Sequence, residues 1–320
     1  MNKVALVVGT RGSDLALAQA KLIIDMLYAA SGDDHPINLS EKVIRTSGDE
    51  YSSELNSANS TGKDSFTREL DKALLSGEID FAVHSLKDVP SDSTINGNIE
   101  ISSFPVRDSA FDVLISGQGG RTLATMPHHA KIGTSSIRRR VQLKNFRPDF
   151  EVREIHGNVP TRIKKLRSGE SGLDGIILAE AGLKRLGMEL EIDEVISKDI
   201  ILPAVGQGCL AISTRSNDEV TKWIVRQIDD ADTRVCVMAE RNFSKELGGG
   251  CNQPVAALAT INQGTLTIEG LIAPYLYEPK SQGPPNVNGV IRAKLSGPRE
   301  EGENLGIRLA LDLKRKIAGS

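Results

Sequence analysis

Two short stretches of this chain share one build, and that build limits its fold more tightly than any bulk property. An apolar run from Val4 to Val8 enters the turn Gly9-Thr10-Arg11-Gly12-Ser13 and then a helical pattern. Lys131-Ile132 likewise enters Gly133-Thr134-Ser135-Ser136 and a helical stretch from Ile137 to Leu143. A buried strand that passes through a Gly-Thr turn and a serine into a helix is a building unit of α/β sheets. The helix start carries unpaired backbone N–H groups and the positive end of the helix dipole, so it suits an anion. Two such units predict two α/β lobes with mixed sheets, each offering a helix start to an acidic ligand, with a cleft and a hinge between them.

The remaining pattern extends this plan. The first helix places Leu15, Ala18, Leu22 and Met26 on one face, and a second strand covers Ile37 to Ile44. Ser47 to Ser65 is rich in Ser, Asn, Gly and Asp and reads as a long loop, ending at Lys63 and Phe66 where a helix through Leu70, Ala73 and Leu74 begins. The strand Phe81 to His84 runs into Ser85-Leu86-Lys87-Asp88-Val89-Pro90, which puts polar groups at a strand's carboxyl end, the edge where open α/β sheets bind ligands. Strands at Phe150 to Ile155 and Gly175 to Ala179 follow in the second lobe.

From Ser216 the pattern changes to helices at Val220 to Ile228 and Thr233 to Leu247, strands near Val255 to Ile261, Leu266 to Ile272 and Val290 to Leu295, and a last helix from Glu303 to Ile317. That is a smaller α+β domain. Tyr275 to Gly289, with Pro279, Pro284 and Pro285, reads as a hairpin excursion.

A chain of 320 residues is long enough for two or three domains. With 39% hydrophobic and 25% charged residues and no long apolar run, it reads as a soluble protein without a membrane span. Arg11 and Asp14 interrupt the first apolar run before a secretory core forms. Cys209, Cys236 and Cys251 cannot all pair and lack metal-ligand spacing, which fits a reducing compartment, the cytoplasm, and no bound metal. A net charge of −3 argues against a nucleic-acid partner. Yet Arg138-Arg139-Arg140, Arg162 to Lys165 and Lys184-Arg185 concentrate cations in the middle third, as solvated helix faces or as a local anion site.

Three sets of residues could carry chemistry. Arg11, Ser13, Lys87, Ser135, Ser136, Arg138, Arg139, Arg162 and Arg185 lie in turns or at helix ends, and guanidinium and hydroxyl donors there suit a ligand with several carboxylates. Phosphate is the rival, although neither Gly-Thr turn has the spacing of a nucleotide-binding loop. Asp88, beside Lys87 at the end of an apolar strand, is either a turn-capping carboxylate or an acid placed to protonate a leaving amine. Cys251 follows Gly248-Gly249-Gly250, a run that bends sharply and can leave a thiol exposed as an attachment point, whereas most free cysteines only pack.

These motifs together resemble the porphobilinogen deaminase (hydroxymethylbilane synthase) family. The resemblance runs in order through Gly9 to Gln19, Val83 to Pro90, Gly133 to Arg139, Gly157 to Arg162, Leu178 to Gly187, Leu202 to Gly208 and Gly249 to Cys251, nearly the whole chain. It implies three domains: residues 1–104 with 206–226, residues 105–205, and residues 227–320, the first two like the lobes of type II periplasmic binding proteins. It also implies a dipyrromethane cofactor attached to Cys251 and the stepwise joining of four porphobilinogen molecules to it, with loss of ammonia, followed by hydrolysis that frees linear hydroxymethylbilane while the primer stays attached.

By the same resemblance Asp88 is the catalytic acid, Lys63, Ser85, Lys87, Thr134, Ser136, Arg138 and Arg139 bind the cofactor, and Arg11, Ser13, Arg162 and Arg185 hold substrate and growing chain. Phe66, His156 and Gln207 are further candidates for the site, and a monomer is the implied state. The chain departs from the family's pattern at His156, where Arg precedes Gly-Asn, at Asp64-Ser65, at Gly248 and at Asn252-Gln253. The alternative from another class is a non-catalytic two-lobe binding protein for an acidic small molecule, which needs no adduct on Cys251 and releases no ammonia.

Overall fold

The first apolar run forms an interior strand of a sheet because it can be covered on both faces. In the computed structural model, which describes residues 3–32, 36–45, 64–91, 97–248, 254–273 and 290–318, Val4–Thr10 (β1) leads into helix Asp14–Ser31 (α1) and strand Ile37–Val43 (β2). Helix Asp64–Leu75 (α2) and strands Phe81–Ser85 (β3) and Ile99–Ser103 (β4) follow. The chain then leaves this unit, residues 1–108 with 208–234, and returns to it for the strand Leu210–Arg215.

β1 lies between β2 and β3 in parallel, Val8 pairing with Phe81. The returning strand runs antiparallel to both β3 and β4. α1 covers one face with Ala20, Ile23 and Leu27 against Leu6, Val8, Phe81 and Val83, and α2 covers the other with Leu70, Ala73 and Leu74 against Ile79, Ala82 and Ile99. Full burial of a side chain such as Ile23 or Leu27 stabilises the lobe by about 1.5–3 kcal/mol. The face predicted for α1 is corrected here, since Leu22 is 41% exposed. Almost every position from Leu15 to Leu27 is apolar or Ala, so periodicity alone does not select the buried stripe.

The second unit, residues 109–207 with 235–320, starts with strand Asp112–Ser116 (β5) and strand Lys131–Gly133 (β6). Helix Ile137–Phe146 (α3), strand Glu151–Arg153 (β7), helix Val159–Arg167 (α4), strand Gly175–Ala179 (β8), helix Glu180–Arg185 (α5) and strand Glu194–Val195 (β9) complete its sheet. With Leu210–Arg215 numbered β10, the two sheets have orders β2-β1-β3-β10-β4 and β7-β6-β8-β5-β9. Each is a parallel triplet followed by one antiparallel strand, β10 or β5, and by an edge strand, β4 or β9, that again runs with the triplet. The repeated strand–turn–helix motif thus occupies the same topological place in both, at the second of the five strands, the middle one of the parallel triplet.

Both Gly-Thr turns are tight for the same reason. A Cβ at Gly9 would fall 2.2 Å from Ile79 Cδ1, and one at Gly133 would fall 2.6 Å from Leu173 Cδ1. The backbone there is packed against core side chains and only glycine fits without displacing them.

After β10, helix Glu219–Val225 (α6) closes the first unit, and helix Ala231–Glu246 (α7) leads into strands Val255–Asn262 (β11), Thr265–Ile272 (β12) and Ile291–Pro298 (β13) and helix Gly302–Ala318 (α8). These strands form an antiparallel sheet whose core joins Phe243, Leu266, Ile268, Leu305 and Leu309. It is tied to residues 198–206 by Ala257 N donating to Pro203 O at 3.2 Å and Lys198 Nζ donating to Glu269 at 2.7 Å. Gly206 N adds a bond to Glu240 Oε2 at 2.8 Å. The fold class is the expected α/β arrangement with a smaller α+β part. No helix among the described residues is long and apolar enough to cross a membrane.

Candidate active site

β1 and β3 are parallel neighbours, so the turns that follow them emerge at one edge of the first sheet. Arg11, Ser13, Gln19, Thr67, His84, Ser85 and Asp88 line a cavity of about 70 Å³ there. Ser13 caps α1 by accepting from Ala16 N at 3.3 Å. Asp88 ends a single 3-10 turn, Leu86–Asp88, which is pinned by Leu86 N donating to Cys209 O at 3.0 Å and closed by Val89 N donating to Leu86 O at 3.0 Å. Pro90 follows and ends the pairing, which leaves the half-buried Asp88 on a short, fixed turn. Gln19, buried on α1, donates its amide to Ser85 Oγ at 2.8 Å and holds that hydroxyl in place.

Two titratable groups of this unit have shifted affinities for protons, and one of them, His84, lines the cavity. His84 is 7% exposed, and burial followed by the charge of Arg11 lowers its pKa to about 4, so the imidazole is neutral at pH 7. Asp71, on the buried face of α2 one turn beyond Thr67, has its pKa raised to about 6 by burial, with the hydrogen bond from Thr67 opposing and the charge of Glu69 adding. An apolar cavity of about 30 Å³ between α1 and α6, lined by Leu27, Ile37, Trp223 and Ile224, has no ionisable lining group.

The second unit gathers the other cations. Ser136 caps α3 by accepting from Arg139 N at 3.4 Å, and Ser135 Oγ donates to Ile155 O at 2.7 Å. The buried Asp112, first residue of β5, is the hub. It accepts from Arg138 at 2.8 Å, from Arg139 at 3.0 and 2.7 Å and from Gln207 Nε2 at 3.0 Å. Burial alone would raise the pKa of Asp112, but the two guanidinium charges and their hydrogen bonds prevail and hold the carboxyl well below the usual range. Arg138 also donates to Leu202 O at 2.7 Å, Arg139 to Ile177 O at 2.8 Å and Gln207 to Ala110 O at 2.6 Å.

Arg138 and Arg139, each 7% exposed, are therefore anchored in the protein, although each guanidinium has more donors than these bonds use. Arg162 donates Nε to Gly157 O at 2.6 Å, and burial followed by the charge of Arg139 lowers its pKa. Near the starts of α3 and α4, Arg139 and Arg162 thus face each other with like charge, a setting in which guanidinium donors suit a carboxylate. The donor chemistry of this set fits the acetate and propionate groups of a dipyrromethane.

The chain matches the family model described as porphobilinogen deaminase, dipyromethane cofactor binding domain, over residues 6–223, and that of the porphobilinogen deaminase C-terminal domain over residues 234–315. It is 42% identical to the porphobilinogen deaminase of Chlorobium limicola over 318 residues, 99% of this chain and 96% of the relative. The chain belongs to the porphobilinogen deaminase family. It is also 42% identical to the porphobilinogen deaminase of Desulforudis audaxviator, covering 98% of this chain and 95% of the relative, and 41% identical to that of Deinococcus radiodurans, covering 97% and 96%. Among solved structures it is similar to the ligand-binding component of an ABC-type import system from Staphylococcus aureus, with a TM-score of 0.37 and 17% identity over 76% of this chain and 74% of that one. That likeness is too distant to bear on chemistry.

Within the porphobilinogen deaminase framework, the structure brings Arg11, Ser13, Ser85 and Asp88 to one cavity and Arg138, Arg139 and Gln207 to one carboxylate. Thr134 is fully buried, its N donating to Arg153 O at 2.8 Å. Lys87 is half-buried beside Asp88, and Arg185 is half-buried in the last turn of α5. His156 is exposed and stands 3.3 Å from Glu154. Lys63 and Cys251 lie outside the described residues, and Phe66 falls in the first turn of α2. His84, Gln19 and Asp112 are absent from the sequence-based set. The family motif Val83 to Pro90 contains His84, and Gly9 to Gln19 ends on Gln19, whereas Asp112 gives no local signal.

Proposed function

We propose that this chain assembles a linear tetrapyrrole from four porphobilinogen molecules on a primer carried by Cys251, and that Asp88 moves the protons. The chain is, as a member of its family, a transferase of tetrapyrrole synthesis. The observation that carries the residue assignment is the placement of Asp88 on a fixed turn in the same cavity as Arg11 and Ser13. Arg11 and Ser13 hold a substrate carboxylate, which orients the aminomethyl group toward Asp88 and removes much of the entropic cost of an encounter in solution.

In its acid form Asp88 delivers a proton to the aminomethyl nitrogen, the C–N bond breaks, and ammonia leaves. The resulting carboxylate faces the methylene cation that remains and stabilises it. When bound, the dipyrromethane supplies a free pyrrole α-carbon as the nucleophile. Asp88 takes up the α-proton released as the C–C bond forms, so the acid is restored for the next addition. Lys63, Ser85, Lys87, Thr134, Ser136, Arg138 and Arg139 bind the acidic side chains of the cofactor, and Arg162 and Arg185 act with Arg11 and Ser13 on substrate and growing chain. Phe66, His156 and Gln207 border these sites.

The proposed domains are 1–104 with 206–226, 105–205 and 227–320, in a cytoplasmic monomer. Asp88→Asn tests the assignment, measured as ammonia release and as an intact-mass ladder on primer-loaded protein. A loss of at least about 100-fold in ammonia release, with primer content and melting temperature unchanged, is the expected result. Undiminished release removes Asp88 from the mechanism.

A further inference from the structure

His84 has no part in the chemistry above, yet its position is unusual for a residue that only packs. It lies on β3, where Phe81, Ala82 and Val83 are all buried, and it lines the same cavity as Arg11, Ser13 and Asp88. It is 7% exposed and makes no hydrogen bond through its imidazole among the described residues, yet its ring nitrogens are not among the fully enclosed polar atoms that lack a partner, so they keep access to the cavity that His84 lines. A polar group at a cavity wall that spends no hydrogen bond on the protein can give one to a ligand there.

Its protonation state narrows what that ligand offers. Burial and the adjacent Arg11 keep the imidazole neutral, so one ring nitrogen presents a lone pair. Loss of ammonia from an aminomethylpyrrole begins with an ammonium and creates a cation, and an imidazolium would repel both. A neutral imidazole attracts both and leaves the compensating charge to Asp88.

Resting on the porphobilinogen reading of this site, we propose that His84 is a further substrate-binding residue, whose imidazole accepts a hydrogen bond from an N–H of the incoming porphobilinogen while Arg11 holds a carboxylate of the same molecule. It orients the substrate from the β3 wall of the cavity, opposite in charge preference to Arg11.

The experiment compares primer-loaded wild type, His84→Leu and His84→Gln, with primer content read by intact mass and folding by melting temperature. Steady-state KM and kcat are measured with porphobilinogen. Binding of an analogue with methyl in place of aminomethyl is titrated on the same samples. His84→Leu is expected to raise KM about 10- to 100-fold, the scale of one hydrogen bond to a charged or polar group, and His84→Gln, which keeps an acceptor, to recover most of that loss. An unchanged KM in His84→Leu overturns the proposal. An equal loss in both variants, accompanied by a lower melting temperature, overturns it in favour of a structural role; should His84→Leu not fold, a wild-type KM in His84→Gln supports the acceptor and a KM raised 10-fold or more overturns it. Failure of wild type to release ammonia would instead overturn the reading of the site itself. Weakened analogue binding in His84→Leu assigns the contact to the pyrrole N–H, and unchanged analogue binding assigns it to the aminomethyl group.

Discussion

Asp112→Asn removes the charge of the hub without changing its size. The carboxylate is fully buried and accepts four hydrogen bonds of 2.7–3.0 Å from Arg138, Arg139 and Gln207. Asparagine leaves two buried guanidiniums without a counter-charge, and breaking a buried pair in this way costs about 3–5 kcal/mol. For a unit of this size each kcal/mol lowers the melting temperature by roughly 2–4 °C, so the variant should melt about 6–20 °C below wild type. Because the folded carboxyl has a depressed pKa, its contribution is complete above the ordinary carboxylate range and is lost only as pH falls through the lower, folded value. Differential scanning calorimetry at pH 7 provides the comparison. Combining Asp112→Asn with Arg138→Met should cost less than the sum of the two single changes, because the second substitution removes a charge that the first left unpaired. A single variant melting within about 2 °C of wild type, a shift corresponding to less than about 1 kcal/mol, would refute the claim that Asp112 holds this cluster together.

Acid stability should separate His84 from Asp71. The folded pKa of His84 is about 4 and its unfolded value about 6.5, so the unfolded chain binds the extra proton and about 3 kcal/mol of stability is lost as pH falls across that window. Asp71 acts in the opposite sense: its folded pKa of about 6 lies above the unfolded value of 3.8, so stability is gained as pH falls through that range. Relative to wild type, His84→Gln should become more stable between pH 7 and pH 4.5 and Asp71→Asn less stable, as read from urea midpoints; a shift of the opposite sign in either variant would contradict the assignment for that residue. Gly306→Ala would place a Cβ 2.1 Å from Ala239 O, a backbone atom of α7, and should destabilise by about 1–3 kcal/mol or more in urea unfolding, whereas an unchanged midpoint would mean that α7 and α8 separate easily.

Residues acting through local pattern were legible in the sequence, and residues acting through distant partners were not. The turns Gly9 to Ser13 and Gly133 to Ser136 announced two α/β lobes because a strand, a tight turn and a helix cap are contiguous in the chain. Asp88 and Ser85 were readable from the end of one apolar strand. β4, β5 and β10 escaped because a short apolar run is equally consistent with helix or strand, and their pairing joins segments far apart in sequence. Ile212 of β10 pairs with Val83, for example. Asp112 escaped for the same reason: its partners Arg138 and Gln207 lie 26 and 95 positions away. The sequence could show that cations cluster at Arg138-Arg139, but only the fold shows that a buried carboxylate directs them. The long polar loop and Cys251 lie outside the described residues, so their roles rest on the family motifs alone.

The central claim is a primer covalently tethered to Cys251, and intact mass tests it most directly. Wild type and Cys251→Ser are purified from cells supplied with porphobilinogen and their masses compared with the sequence. Wild type should carry the added mass of two linked pyrroles and Cys251→Ser should not. Absence of the adduct from both proteins, even after incubation with porphobilinogen or preformed hydroxymethylbilane, would contradict the tethered-primer mechanism and leave a two-lobe binding protein for acidic ligands.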